Sequence, residues 1–143
     1  MKRFFVIILA GLMLAALTAC GQGSGEEVEY TGMEHETTAP YIFQWGEGET
    51  TFRLIVIQDD IPRHFDVSTG QEYLGDALLE VGLVEGEETP MGLLVTHVAG
   101  SRAVYLLDGA WWRFTINGED SFTGVSQVII DPDATYTFIH TLA

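Results

Sequence analysis

Few side chains in this chain can do chemistry, and their spacing limits what that chemistry is. The one thiol, Cys20, closes Leu17-Thr18-Ala19-Cys20 at the end of an apolar run from Phe4 to Leu17, with Lys2 and Arg3 before it. A basic start, a short greasy segment and small residues ahead of a cut are the pattern of an export signal. The run falls short of the roughly 20 apolar residues that a comfortable bilayer span takes. The small Ala19 suits a signal peptidase, and the thiol after it is where diacylglycerol is attached in a lipobox. A single cysteine allows no internal disulfide and no zinc site of several thiolates. His35, His64, His97 and His140 are scattered, with no two at the short helical spacing of a metal pair. Glu34-His35-Glu36 is a weak cation trap at best. Asp131-x-Asp133-x-Thr135 begins like a calcium loop but lacks the downstream bidentate glutamate, and reads as a turn. No metal site is expected.

Catalysis has equally little to stand on. The chain has no Gly-x-Ser-x-Gly elbow, no second thiol, no lysine beyond Lys2 and no glycine-rich phosphate loop. Asp59-Asp60 and Glu87-Glu88 are neighbours in polar stretches, without the apolar setting that separates an acid from a base. The expectation is a non-enzyme with no catalytic residue and no cofactor. Binding is the chemistry left. Trp111 and Trp112 are adjacent on a strand pattern and so face opposite sides. Trp112 shares its side with Phe114 and Ile116 and reads as core, facing the apolar stripe of a helix. Trp111 shares its side with Arg113 and Thr115. An indole there either packs under the aromatic segment Tyr41–Trp45 or stacks on a flat ligand or partner. The candidate ligand-binding residues are Trp111, Arg113 and Asn117.

These groups sit in a chain of 143 residues with 6 Lys+Arg, 21 Asp+Glu and a formal net charge of −15. Loss of residues 1–19 removes Lys2 and Arg3 and no acid. That leaves Arg53, Arg63, Arg102 and Arg113 against 21 acids, a net charge of −17. Nucleic acid is excluded as a partner, because phosphate binding needs clustered Lys and Arg. Anionic lipid would repel such a chain. The bilayer is therefore expected to hold it only through acylated Cys20, each buried methylene adding about 0.8 kcal/mol. The expected place is the cell membrane, lipid-anchored on the extracytoplasmic face.

Three parts follow: a lipoprotein signal peptide at 1–19, the lipidated cysteine with a flexible acidic tether at 20–49, and one domain at 50–143. Gly21-Gln22-Gly23-Ser24-Gly25 and the glutamates at 26, 27, 29, 34 and 36 bury too little surface to offset their ordering entropy. A coil of about 28 residues spans roughly 30 Å. Tyr41, Ile42, Phe43 and Trp45 form either an added edge strand or a tail packed on the domain, with packing preferred. From Thr50, Phe52, Leu54 and Val56 alternate with Arg53, Ile55 and Ile57, a strand covered on both faces. Gln58 to Pro62 is turn material, and Phe65 and Val67 give a return strand. Ser68-Thr69-Gly70 offers a helix start. Leu74, Ala77, Leu78 and Val81 line one helix face, and Gly82 suits the cap. Further strands are expected over 92–98, 103–107, 111–116, 125–130 and 135–141, with Asn117-Gly118 as a tight turn. One helix against a mixed sheet is an α+β domain.

The order and wording of these pieces resemble the transcobalamin C-terminal-like domain, a β-grasp-type module of bacterial lipoproteins and surface proteins. The matching words are Leu74-Gly75-Asp76-Ala77-Leu78 with Gly82-Leu83-Val84, and Leu94-Val95-Thr96-His97-Val98-Ala99-Gly100. Trp112-Arg113-Phe114-Thr115-Ile116-Asn117-Gly118-Glu119 and Gly124-Val125-Ser126 complete the set. Ala99 stands where the family tends to have asparagine, and Pro132 where it has glycine. The resemblance implies a β-grasp-like fold, one helix packed on a mixed β-sheet, across roughly residues 50–142. It also implies a link to the vertebrate cobalamin carriers, whose smaller lobe is this module and whose corrinoid lies between two lobes. The helical lobe is absent from this sequence. The function expected is a non-catalytic binding domain on an anchored lipoprotein, for a corrinoid-type or other small ligand. The alternative is a surface protein–protein interaction or adhesion module with no small ligand.

Overall fold

Alternating apolar residues make Thr50–Gln58 (β2) and Ile61–Thr69 (β3) a hairpin whose inward side chains, Phe52, Leu54, Val56, Phe65 and Val67, are all buried. Asp59 and Asp60 turn it, both at positive φ (52° and 62°), a conformation that short acidic side chains tolerate in two-residue hairpins. Pro62 lies within β3 rather than in the turn. The computed structural model describes residues 39–143, and these form one compact unit from Ala39 onward. The signal peptide at 1–19, Cys20 and the tether up to residue 38 lie outside the described residues.

A six-stranded mixed sheet carries the fold. Its order is β1-β3-β2-β9-β7-β8, where β1 is Ile42–Gly46, β7 Ala110–Ile116, β8 Glu119–Asp120 and β9 Thr135–Leu142. The central pair β2 and β9 is parallel; β9 also pairs antiparallel with β7. The stretch from Ile42 to Gly46, within the span given to the tether and read from sequence as either an added edge strand or a packed tail, is an edge strand parallel to β3. Its aromatic rings are why: Phe43 stacks on Phe65 with centroids 5.3 Å apart, and the Trp45 indole donates to the Val81 carbonyl at 2.8 Å.

Helix α1, Leu74–Glu80, buries Leu74, Ala77 and Leu78. Ser68 and Thr69 do not start it. They end β3, and the helix begins after Tyr73, where the Leu74 amide donates to the Val128 carbonyl at 2.8 Å. Its end is a Schellman cap: the Leu83 amide reaches the Leu78 carbonyl and the Gly82 amide the Leu79 carbonyl, with Gly82 at φ 71°. Gly75 is required for close approach, since a Cβ there would stand 2.9 Å from the Ser126 Cα.

A second, three-stranded sheet joins β4 (Val84–Thr89), β5 (Gly92–Val98) and β6 (Ser101–Arg102). The strand β4, Val-Glu-Gly-Glu-Glu-Thr, has no β propensity to announce it; pairing with β5 makes it. Ala99 takes φ 47° in the β5–β6 turn, where asparagine fits with less strain. The strand expected over 103–107 is not formed. Tyr105–Asp108 is a single helical turn, α2, because the Asp108 carboxylate accepts from the Val104 amide at 2.9 Å and from Arg102. Nor do residues 125–130 form a strand. Val125–Gln127 is a 3-10 turn, followed by an isolated bridge between Tyr73 and Ile129 that anchors the start of α1. The architecture is α+β, mostly β, with the second sheet added to what the sequence led one to expect.

Candidate functional site

Strand register puts Trp112, Phe114 and Ile116 opposite His140, Phe138 and Tyr136, all on the inward face. Trp112 is 8% exposed and Trp111 41%. The largest fully buried side chains are Tyr136, Phe52 and Phe138, so the core centres on β2 and β9. Trp112 lies one strand outward of that centre and walls a cleft of about 440 Å³, within the size range of small-ligand sites.

Three stretches far apart in sequence make this cleft. Leu93 to Thr96 of β5 form one side, Ala103 to Leu106 leading into α2 form another, and Ser121 to Val125 after β8 form the third; Trp112, Phe114 and Phe138 supply the floor. Each side is tied by hydrogen bonds. The Leu93 amide donates to Ser126 Oγ at 3.2 Å. Asp108 gathers Arg102 and the Val104 amide, and those bonds, Arg102 first, hold its carboxyl below the usual carboxylate range. The Ser121 amide donates to the Phe114 carbonyl at 3.1 Å, and the Thr123 amide donates to Ser121 Oγ at 3.2 Å. The rim is apolar and bare: Leu94 and Tyr105 are exposed, Leu106 is 91% and Phe122 102% exposed. The Trp112 Nε1 is buried and has no hydrogen-bond partner among the described residues.

The three candidate residues divide. Trp111 lines the cleft, at the start of β7 directly after the α2 turn at Gly109. It is not covered by Tyr41–Trp45, which lies on the opposite edge of the sheet. Arg113 pairs with Asp120 through Nε and through Nη2 at 2.9 Å, a tie between β7 and β8. Asp120 is held below the ordinary carboxylate range by that hydrogen bond. Asn117 turns the chain at φ 51°, and its side-chain oxygen accepts from the Thr135 amide at 2.9 Å. Arg113 and Asn117 therefore brace the frame, and neither lines the cleft. Sequence reasoning put none of Leu94, Tyr105, Leu106 and Phe122 at a site. The signal was there for the last, a lone aromatic in a polar loop between Asn117-Gly118 and Gly124.

An α+β domain with a mixed sheet and an apolar cleft is the class defined so far. No protein-family model and no curated protein matches the sequence. Among solved structures, a protein of Ruminococcus gnavus, named for a suspected metal-binding role, shares 27% identity at a TM-score of 0.61, over 66% of this chain and 99% of its own. Haptocorrin in complex with Cbi superposes at a TM-score of 0.51 with 15% identity, over 65% of this chain but only 25% of haptocorrin, a likeness of fold. Among the described residues no three His, Cys, Asp or Glu side chains gather as a metal site would require.

Proposed function

We propose that this chain is an extracytoplasmic lipoprotein, anchored through acylated Cys20. Its β-grasp-like domain holds a flat, largely apolar small ligand and performs no catalysis. The observation that carries the ligand reading is the cleft over Trp112 and Phe114, with its bare rim of Leu94, Tyr105, Leu106 and Phe122. Apolar side chains clustered at a concave mouth are what a ligand would cover. Corrinoids are the first class to test, supported by the resemblance to the transcobalamin C-terminal-like domain and by the fold likeness to haptocorrin. The anchor reading rests on the lipobox at Leu17–Cys20.

Equilibrium titration of the full chain in detergent with cobalamin and Cbi tests the ligand class. Saturable binding weakened by Phe122→Ser and Trp111→Ala supports it; no binding at millimolar ligand removes corrinoids. A protein partner is the second reading, favoured by the near-complete exposure of Leu106 and Phe122, which stand outside the floor of the cleft. Fractionation of cells carrying Cys20→Ser tests the anchor. Release of the protein is expected, whereas cleaved protein still in the membrane fraction rejects lipidation.

A further inference from the structure

At the other end of the six-stranded sheet a second cavity, about 340 Å³, opens between the aromatic edge and the turns after α1 and β5. Phe43, Trp45 and Phe65 make one wall and Leu83, Ala99 and Gly100 the facing one, with Arg63 beside them. The aromatic wall is set rigidly. Phe43 stacks on Phe65, Trp45 meets Phe65 edge-on at 6.3 Å, and the Trp45 indole is bonded to the Val81 carbonyl. On the facing side a Cβ added at Gly82 or Gly100 would meet nothing within 4 Å, so the space is open.

Arg63 is the anomaly in this wall. Arg53, Arg102 and Arg113 each hold a carboxylate, from Asp66, Asp108 and Asp120. Among the described residues Arg63 holds none, in a chain with 21 acids, and its Nη2 is buried without a hydrogen-bond acceptor. A guanidinium kept from carboxylates, in a cavity wall shared with aromatic rings, offers its charge and its other N–H groups to an anion, with a π surface for the body that carries it. We infer that this cavity is a second binding site, for small aromatic or apolar monocarboxylates, with Arg63 taking the carboxylate and Phe43, Trp45 and Phe65 the body. It is separate from the cleft at Trp112 and does not depend on what fills that cleft.

Phenylacetate is the probe, and phenylacetamide its uncharged counterpart. The Trp45 indole N–H resonance of the full chain in detergent, identified with Trp45→Phe, reports occupancy by NMR titration. Phenylacetate should shift that resonance saturably and bind about tenfold or more tightly than the amide, the worth of one good charge-assisted bond. Arg63→Gln should bring the acid to the level of the amide, Arg63→Lys should keep part of the difference, and Phe43→Ala should weaken both ligands. Trp111→Ala should change neither, so failure here and failure of the cleft reading remain distinct. Equal binding of acid and amide, or no saturable shift at millimolar phenylacetate, overturns the proposal. Equal binding of acetate and phenylacetate would reduce the site to a bare anion contact and overturns the aromatic part. Thermal melts of wild type and Arg63→Gln accompany the titration; a variant that melts as wild type and still binds the acid fully also overturns it.

Discussion

The two long edges of the six-stranded sheet are both rich in aromatic residues, yet they treat them differently. On the β1 edge, Phe43 and Trp45 lean on Phe65 and on each other's neighbours, and the one polar group among them, the Trp45 indole N–H, is bonded to the helix end at Val81. On the β7 side, among the described residues, Trp112 is buried but its N–H has no partner, and Leu106 and Phe122 stand free of any cover. Rings that pair with one another are held as a rigid wall. Leu106 and Phe122 instead stand exposed at the mouth of a concavity, where the proposed ligand would cover them.

The sharpest test of this contrast is Trp112→Ala. Removing a buried tryptophan should cost about 3–5 kcal/mol, a large part of the about 5–15 kcal/mol available to a small domain. Denaturant melts should show it, and Trp111→Ala beside it should cost clearly less. If the order is reversed, the floor of the cleft is misassigned. Gly46→Ala probes the opposite edge. The residue sits at φ 74° and a Cβ would clash with the Ser68 carbonyl oxygen, so a loss of about 2 kcal/mol is expected from the strain of the left-handed backbone and the clash. A neutral result would mean that β1 is only loosely attached.

Trp45→Phe keeps the ring and removes the bond to Val81, and should cost about 1 kcal/mol in the same melts. The next effect is read with pH. Arg53's hydrogen bond holds the Asp66 carboxyl below its usual range. A folded value below the unfolded one means that this stabilisation is present above the unfolded value, near 3.9, and is lost as pH falls through the folded value. Melting temperature should therefore drop below about pH 4, and Asp66→Asn should flatten that drop. The pair is partly exposed, so the effect is small and salt-sensitive. Smallest of all in stability is Phe122→Ser, within about 0.5 kcal/mol, since its ring touches solvent on every side. Its effect belongs to binding, and unchanged ligand affinity in this variant would remove Phe122 from the site.

Much of the secondary structure was legible because one-dimensional period reports one-dimensional geometry. Alternation from Thr50 to Ile57 predicts β2. The spacing of Leu74, Ala77, Leu78 and Val81 predicts α1, and Asn117-Gly118 predicts the turn after β7, which lies at φ 51° and 83°. Where those cues misled, a particular hydrogen bond or strand pairing had overruled residue propensity. Val104 to Leu107 has strand-like residues but winds into α2 because Asp108 binds Arg102 and the Val104 amide. Val125 to Ile130 is β-branched, yet it is held as a 3-10 turn and a bridge at the start of α1. Ile42 to Gly46 becomes a strand because β3 leaves an edge open to it.

What the sequence determined unaided is the set of residues with an inward face and the charge of the chain, since each is read from residues along the chain. It also set Trp111 on the polar side of its strand, and the indole is exposed in the structure. The cleft was decided only by tertiary structure. Its three sides come from residues 93–96, 103–106 and 121–125, and no local period links them. The same holds for the arginines. All four look alike as letters, but folding brings a carboxylate to Arg53, Arg102 and Arg113 and brings aromatic rings to Arg63, because which groups meet across a sheet depends on strand order and register rather than on composition.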